Sequence, residues 1–237
     1  MELSIRECLE GAQNARGLTV IIDVFRAFSL ECYLFFQNPK RVLAVGDLQT
    51  AYDLKQKYPG AVLIGERNGE PLSGFDCGNS PTLMKKLDLT GRTVIHTTSA
   101  GTQGLAAAMG ADEIITGSLV NAQAVARYIQ NKQPSAVSLV CMGLRGTQRA
   151  EEDVLCAHYI RSMLQGKKWS RDDLKKKIDR LRVTAGKRFF EKTTQDVMPE
   201  EDFYLCTEPD RFPFVVQAVK ESNYFEMRPC PVRTVRT

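Results

Sequence analysis

The chain has 237 residues, of which 43% are hydrophobic, so it is long enough to bury a sizeable core without help from metals or disulfides. A net charge of +4, from 32 basic and 28 acidic residues, is too small to indicate a nucleic-acid-binding protein and fits a small anionic substrate equally well. Seven cysteines without a C-x-x-C pair indicate reduced thiols rather than a disulfide framework or a zinc site.

The amino terminus and the hydropathy pattern predict a cytoplasmic protein with no export signal. Met1 is followed by acidic residues at Glu2, Glu7 and Glu10, where a signal peptide would have a basic and then an apolar region. No apolar run approaches the roughly 18 residues that span a membrane. We therefore expect neither a membrane nor a nucleic acid as a partner.

Strands and helices alternate along the first two thirds of the chain. The β-branched run Leu18–Ile22 predicts a strand, and the apolar residues 27–37 predict a buried helix. Asp47 is a good N-cap for a helix that ends near Tyr58. Similar patterns predict strands at 41–45, 61–64, 92–96, 113–116 and 136–141, and helices at 80–87, 102–109, 118–131 and 151–165. This alternation predicts an α/β fold with a mostly parallel sheet and helices on both faces.

The C-terminal third has a different composition. Residues 166–198 form a basic helical subregion, in which Ser170 and Asp173 make a variant capping box. A basic helical face is usually solvated, so we assign no ligand to it. Residues 199–219 return to an apolar pattern, and the last ten are expected to fray. No linker divides the chain, so we predict a single domain over residues 1–237.

The connection from Gly65 to Pro81 is rich in glycine and in charged residues. Glycine-rich backbone loses more conformational entropy on folding and packs little apolar area, so a site is expected here rather than a plain linker. Comparable polar loops follow other predicted strands, and they lie at 23–26, 97–102, 117–121 and 145–153. Because open α/β sheets bind ligands at the carboxyl ends of their strands, these loops are the candidate site.

The side chains of these loops suit a phosphorylated ligand. Helix N-termini carry free N–H groups, which makes Thr97, Thr98, Gly101 and Thr102 a candidate phosphate cradle. Arg26 and Arg67 are candidate anion clamps. With only two histidines, a bound metal would have mainly oxygen ligands, which points to Mg²⁺. The candidate metal ligands are Asp23, Glu66, Asp76, Glu152 and Asp153.

Several of these residues also have an alternative structural role. Asp23 is a candidate helix N-cap, and Ser80 before Pro81 is more often a cap than a ligand. Glu152 and Asp153 sit where acidic residues stabilise a helix dipole. Cys77 has no neighbour in sequence that would lower its pKa, so we leave it out of catalysis.

The ordered motifs together resemble the 2-phosphosulfolactate phosphatase family. The most specific of them is the loop G-E-R-N-G-E-P-L-S-G-F-D-C-G-N-S-P. The motifs stand at Val20–Ser29, Gly65–Pro81, Thr97–Thr102, Gly117–Ala122 and Glu152–Ala157. The resemblance implies a three-layer α/β/α fold. It also implies a Mg²⁺-dependent phosphatase that converts 2-phospho-3-sulfolactate to sulfolactate on the route to coenzyme M.

The resemblance also implies roles for individual residues. Catalytic roles fall to Asp23, Arg26, Glu66 and Asp76. Substrate-binding roles fall to Arg67, Asn79, Ser80, Thr97, Thr98, Gly101, Thr102 and Asn121. The metal ligands stay Asp23, Glu66, Asp76, Glu152 and Asp153. Two residues depart from the family pattern: Ala100 stands in place of a common Asn, and His158 in place of a common Gly, where it would narrow or re-line the pocket.

Two chemical routes remain open at this point. In one, Asp23 attacks phosphorus and forms an aspartyl-phosphate; in the other, a carboxylate orients a metal-bound water for direct attack. A phosphatase of the same fold with a different phospho-hydroxy-acid substrate is an alternative, as is a non-catalytic module that senses an anionic metabolite. The sequence leaves a homo-oligomer open.

Overall fold

The computed structural model describes residues 1–167 and 169–232, which contain ten strands in one sheet and nine α-helices. The strands are β1 (Glu2–Glu7), β2 (Gly17–Ile22), β3 (Arg41–Ala44), β4 (Val62–Arg67), β5 (Glu70–Pro71), β6 (Thr93–Thr97), β7 (Ala111–Gly117), β8 (Ala136–Cys141), β9 (Phe214–Lys220) and β10 (Phe225–Pro231). The helices are α1 (Cys8–Gln13), α2 (Ala27–Phe36), α3 (Leu48–Lys57), α4 (Pro81–Met84), α5 (Gly101–Ala107), α6 (Ala122–Lys132), α7 (Glu151–Leu164), α8 (Arg171–Leu181) and α9 (Glu200–Thr207).

The sheet consists of two parallel sets of strands joined by an antiparallel hairpin. Its order is β1-β8-β2-β7-β9-β10-β3-β6-β4-β5. Strands β1, β8, β2 and β7 are parallel to one another, as are β3, β6 and β4. The hairpin β9–β10 pairs antiparallel with β7 on one side and with β3 on the other. The predicted mostly parallel α/β sheet is confirmed, while the hairpin that joins its two sets was not foreseen.

Helices cover both faces of this sheet and give it three layers. Val20 and Leu139 of the first set pack with helices α6 and α7. Leu63 of the second set packs with Leu54 of α3. The opposite faces of both sets share one core, in which Phe28 of α2 lies fully buried. The eight residues from 27 to 34 of α2 are all buried, as its uniformly apolar sequence predicts.

The two strand sets meet at the loops that follow β2 and β6. The three antiparallel pairings around the hairpin reverse the second set relative to the first. However, β2 and β6 are five pairings apart, and at roughly 20–25° for each pairing the sheet turns by about 100–125° between them. Such a turn offsets much of the reversal, and the loops after β2 and β6 do lie together: a Cβ atom added to Gly101 would lie 3.0 Å from Asp23 Oδ2.

Two predicted helix caps are confirmed, while the prediction for the C-terminal residues is partly wrong. Asp47 accepts a hydrogen bond from Thr50 N at 2.7 Å and caps α3, and Ser170 accepts one from Asp173 N and caps α8. The expected fraying of the last ten residues is wrong as far as Pro231, where β10 ends; residues 233–237 lie outside the described ones. Strand β1 was also missed.

All seven cysteines are free thiols. Within the described part of the chain, no helix is both long and apolar enough to cross a membrane.

One buried acid of the core makes the stability of the fold depend on pH. Glu31 of α2 is fully buried, and its Oε2 accepts a hydrogen bond from Thr116 Oγ1 at 3.0 Å. Its Oε1 has no partner among the described residues. Burial raises the pKa of Glu31 from its ordinary value of 4.5 to about 8. The folded protein therefore holds this proton to higher pH than the unfolded chain, so the group lowers stability as the pH rises from about 4.5 to about 8.

We predict that Glu31→Gln, which resembles the protonated side chain, leaves stability unchanged at pH 4.5 and raises it at pH 8. With about 1.4 kcal/mol for each pKa unit, the gain at pH 8 is on the order of 4 kcal/mol. Urea unfolding at the two pH values measures it. The exposed Glu221→Gln loses the same charge and should show no such dependence. An equal effect of Glu31→Gln at both pH values would contradict the prediction.

Candidate functional site

A cleft of about 210 Å³ opens where the loops after β2, β4, β6 and β8 converge on the first turn of α7. The acidic residues that line it are Asp23, Glu66, Glu152 and Asp153. The basic ones are Arg26, Arg145 and Arg188. Four of the five predicted metal-binding acids therefore face one cleft, together with one of the two predicted anion clamps.

Asp23 lies directly after β2 and is only 6% exposed. Its Oδ1 accepts a hydrogen bond from Ala27 N at 3.2 Å, in the first turn of α2. Asp23 therefore also stabilises the N-terminus of this helix, as a capping residue would. Burial, together with the negative charges of Glu66 and Glu152, raises the pKa of Asp23 to about 7, against the lowering effect of the hydrogen bonds from the Ala27 and Gly101 amides. A carboxyl group with such a pKa exists in both protonation states near neutral pH.

Glu152 and Asp153 come from the first turn of α7 and have different partners. Asp153 accepts hydrogen bonds at 2.8 Å from both Val24 N and Gly143 N, which ties the loops after β2 and β8 together. Glu152 Oε2 has no partner among the described residues although it is buried. Burial raises the pKa of both carboxyls; Glu152 and Asp23 raise that of Asp153 further, while Arg188 lowers that of Glu152.

Glu66 holds two loops in place at the mouth of the cleft. Its Oε1 accepts a hydrogen bond from Ser99 N at 2.6 Å, and its Oε2 accepts one from Gly69 N at 2.6 Å. Ser99 Oγ donates a third, at 3.0 Å to Oε2. Glu66 thus takes up the Ser99 amide and links the loop after β4 to the loop after β6.

Arg26 reaches the cleft but is held by a buried acid. Its Nη1 lies 2.7 Å from Asp202 Oδ2 and donates to Val197 O at 2.7 Å. Asp202 of α9 is fully buried, and its Oδ1 also accepts hydrogen bonds from Ser80 Oγ and from Thr82 N, at 2.8 and 2.9 Å. This network joins α9, α4 and the loop after β2 beneath the cleft.

Comparison with known proteins identifies the family. A family model described as 2-phosphosulpholactate phosphatase matches residues 4–221. The chain belongs to this family. The probable 2-phosphosulfolactate phosphatase of Bacillus subtilis (strain 168) is 28% identical over 206 residues, which cover 87% of this chain and 89% of the relative. That of Thermotoga petrophila is 31% identical over 209 residues, which cover 81% and 85%.

A third relative supports the same assignment. The probable 2-phosphosulfolactate phosphatase of Carboxydothermus hydrogenoformans is 35% identical over 169 residues, which cover 71% of this chain and 69% of the relative. Membership of the 2-phosphosulfolactate phosphatase family confirms the resemblance that the motifs indicate, and with it the prediction of a phosphoric monoester hydrolase.

Most of the predicted substrate-binding side chains lie outside the cleft and stabilise its loops. Thr98 and Thr102 cap each other: each backbone N–H donates to the other's hydroxyl group. Ser80 caps α4 through Leu83 N, and Asn121 accepts a hydrogen bond from Ser118 N. These side chains therefore stabilise the loops and helix ends around the cleft. For Ser80 this is the capping role expected of a serine before a proline.

Arg67 and Asp76 are also placed away from the cleft. Arg67 donates to Glu66 O, to Gly46 O and to Thr97 Oγ1, at distances of 2.8 to 3.2 Å. These hydrogen bonds occupy donors of the Arg67 guanidinium and the Thr97 hydroxyl oxygen, which are therefore not free to bind a phosphate. Asp76 is exposed and accepts a hydrogen bond from Leu63 N near the start of β4. Neither residue lines the cleft, and we leave both out of the mechanism.

The remaining predictions concern Asn79, Gly101, Ala100 and His158. Asn79 lines the cleft, and its Oδ1 lies 3.3 Å from Nε2 of the buried His96. Gly101 adjoins Asp23, as described above. Ala100 also lines the cleft, at the position where the resemblance led us to expect an amide side chain. His158 does not line it: the side chain lies in a separate groove between α7 and α8, so the expectation that it re-lines the pocket is wrong.

Two arginines of the cleft were not foreseen as ligands. Arg188 comes from a short 3₁₀-helix, Lys187–Phe190, in the basic subregion to which we assigned no ligand. Arg145 follows β8 in a left-handed conformation with φ of 58°. The charge pattern of the sequence does not distinguish Arg188 from the solvated lysines and arginines around it. Only the packing of Phe189 into a buried aromatic cluster directs this segment to the cleft.

The acids of the cleft fit a divalent cation, although they do not form a complete protein cage. No group of three or more His, Cys, Asp or Glu side chains within residues 1–167 and 169–232 is arranged to hold a metal ion. Mg²⁺, however, is commonly held by one or two carboxylates, by waters and by substrate phosphate oxygens. Glu152 Oε2, which has no hydrogen-bond partner within the described ranges, and Asp23, whose pKa is raised, are the groups whose charge a cation would offset.

We predict that Asp202→Ala destabilises the fold by about 3–5 kcal/mol, because it leaves Arg26 buried without its acid and removes the partner of two α4 donors. The preceding residue supplies a control. Glu201 makes an exposed ion pair with Lys85 at 3.1 Å, so Glu201→Ala should cost less than about 1 kcal/mol. Urea unfolding compares the two variants. Similar losses in both would contradict the role given to Asp202.

Proposed function

We propose that this chain is a Mg²⁺-dependent phosphatase that hydrolyses the phosphate monoester of a 2-hydroxy carboxylic acid, with 2-phospho-3-sulfolactate as its substrate. Family membership and the names of the relatives support the reaction class and the substrate. The observation that carries the proposal is Asp23: a buried carboxyl group at the end of a strand, held by a backbone amide, beside three further acids in a cleft.

Asp23 is placed to act on phosphorus in either of the two routes. As a nucleophile, its carboxylate oxygen forms a bond to phosphorus while the bond to the alcohol oxygen breaks, and water then cleaves the acyl phosphate. As a base, it removes a proton from the water that attacks phosphorus directly. We favour the first route, because the hydrogen bond from Ala27 N and the rigid end of β2 fix the carboxylate.

Asp23 and Glu152 are the residues that would hold the metal ion, whereas both oxygens of Glu66 already accept hydrogen bonds from loop amides. When bound, Mg²⁺ would offset the negative charge on the phosphoryl oxygens and on these carboxylates. Asp153 has a different role, since the Val24 and Gly143 amides occupy both of its oxygens and make it a bridge between two loops.

A sensor of an anionic metabolite is less consistent with the site than an enzyme. Four acids in the cleft repel an anion unless a cation is present, and a binding module without chemistry has no use for that repulsion. A different phospho-hydroxy acid stays a candidate substrate for the same residues. Phosphate release from a panel of phosphorylated 2-hydroxy acids, with and without Mg²⁺, distinguishes these alternatives, since saturable binding without turnover would favour the sensor.

The proposed substrate and the free cysteines indicate a metabolic pathway and a cellular compartment for the enzyme. Sulfolactate production would place the enzyme on the route to coenzyme M, and seven free cysteines favour the cytoplasm. Its partners would be small phosphorylated acids, without nucleic acid, because the net charge is only +4. A homo-oligomer is compatible with all of this.

We predict that Asp23→Asn lowers kcat at least about a hundredfold, a barrier increase on the order of 2.7 kcal/mol, with little loss of fold. The amide retains the shape of the side chain but cannot serve as nucleophile or base. Steady-state phosphate release measures kcat, and circular dichroism checks the fold. Asp53→Asn on the exposed face of α3 is the control. Turnover near that of the wild type in Asp23→Asn would rule out this role.

We also predict that Mg²⁺ stabilises the unliganded protein at pH 8, at constant ionic strength, by about 2.7 kcal/mol when its concentration is a hundred times Kd. The effect should shrink below pH 7, because Asp23 takes up a proton there, and it should be weaker in Glu152→Gln. Thermal unfolding measures this without any turnover. Equal Mg²⁺ effects in the wild type and in Glu152→Gln would exclude Glu152 as a ligand.

A further inference from the structure

The arginines of the cleft differ in how far their donors are already used. Arg26 has its Nη1 committed to Asp202 and Val197, as described above. Arg188 is less committed: its Nε is buried without a partner among the described residues, and its Nη2 lies 3.9 Å from Glu152 Oε1. That distance is too long for a direct hydrogen bond. Arg188 therefore brings to the cleft charged donors that are not saturated by any acceptor in the described part of the chain.

The plane of the Arg188 guanidinium is fixed by aromatic packing. Its Cζ lies 5.5 Å from the centre of the Phe189 ring and 6.0 Å from that of Phe25. Its Nη2 also donates to Phe25 O at 3.4 Å. Phe25 and Phe189 are themselves packed edge to face, with 5.0 Å between ring centres. A guanidinium held in this way loses little entropy when it binds an anion, and its donors suit the flat or forked oxygens of carboxylate and sulfonate.

Arg145 adds a second cation at the rim of the same cleft. It is exposed and makes no hydrogen bond or ion pair with the described residues. Gly143 and Gly146 on either side of it also have positive φ, and Leu144 N donates to Gln148 O at 2.7 Å. The loop is thus a closed turn that presents Arg145 to the cleft.

We propose that Arg188, assisted by Arg145, binds the second anionic group of the substrate and so selects phosphate esters that carry a sulfonate or carboxylate over simple phosphate esters. This inference rests on the proposed function, since it assumes that the phosphate lies near Asp23. It gives the basic subregion a specificity role. It also explains why a cleft with four acids still contains two arginines whose donors are not saturated.

The experiment compares two substrates in the wild type and in Arg188→Gln. We expect KM for 2-phosphosulfolactate to rise about 10- to 100-fold, the range that a lost charged hydrogen bond gives. KM for p-nitrophenyl phosphate, which lacks a second anionic group, should change by less than about threefold. Loss of the positive charge beside Glu152 changes KM for both substrates by the same factor. The ratio of the two KM changes therefore measures recognition of the second anionic group alone. Arg188→Lys should restore part of the selectivity.

Arg182→Gln is the matched control, because Arg182 is exposed on the same basic segment and stacks on Phe190 outside the cleft. It should leave both KM values unchanged. Equal KM increases for the two substrates in Arg188→Gln would overturn the proposal.

A failure of the proposed function gives a different result. If the wild type releases phosphate from no ester, titration calorimetry with sulfolactate tests the subsite directly. Binding that weakens at least about tenfold in Arg188→Gln and not in Arg182→Gln would support the anion subsite without the reaction. Absence of sulfolactate binding to the wild type would overturn it.

Discussion

The burial of several like charges beside one another is the constraint on which this structure depends. Asp23, Glu152 and Asp153 are each less than 7% exposed, and the cleft brings them together. Such an arrangement is stable only when protons, backbone amides or a cation offset the charge. The protein uses different means for different members: backbone amides for Asp153 and Asp23, and the distant Arg188 for Glu152. The negative charge of Glu152 is the least offset of the three. A cation that binds the site should therefore interact most strongly with Glu152.

The structure surrounds this cluster with acids that serve the fold rather than the reaction. Glu66 joins two loops through their amides, and Asp202 joins a helix to Arg26 and to the cap of α4. Both are charged groups that accept two or more hydrogen bonds, which makes them rigid connectors. The site therefore contains two kinds of carboxylate: Glu152 keeps an oxygen without a partner among the described residues, whereas Glu66 and Asp202 have both oxygens hydrogen-bonded.

Sequence patterns predict the parts of this molecule that depend on local periodicity. The strand at Leu18–Ile22, the buried helix α2 and the Asp47 cap follow from burial and capping rules that act within a few residues. The motifs also locate Asp23 and Glu152 at the cleft. They do not separate ligands from supports: Thr98 and Arg67 have the chemistry of ligands, but their partners Thr102 and Thr97 lie 4 and 30 positions away and are fixed only by folding. Arg188 was missed for the opposite reason, since an aromatic cluster directs it to the cleft from a segment with the composition of a solvated surface.

The position of the β9–β10 hairpin has a consequence for the order in which the protein is made. Among the described strands, these last two are the bridge between the two parallel sets, and every residue of the cleft precedes them in the chain. A ribosome therefore completes the chemical groups of the cleft before it supplies the strands that hold them in register. Emerging chains would carry exposed sheet edges on both sets until the hairpin closes them, a period in which pairing with another chain competes with folding. Catalytic competence would appear as one of the last events of synthesis.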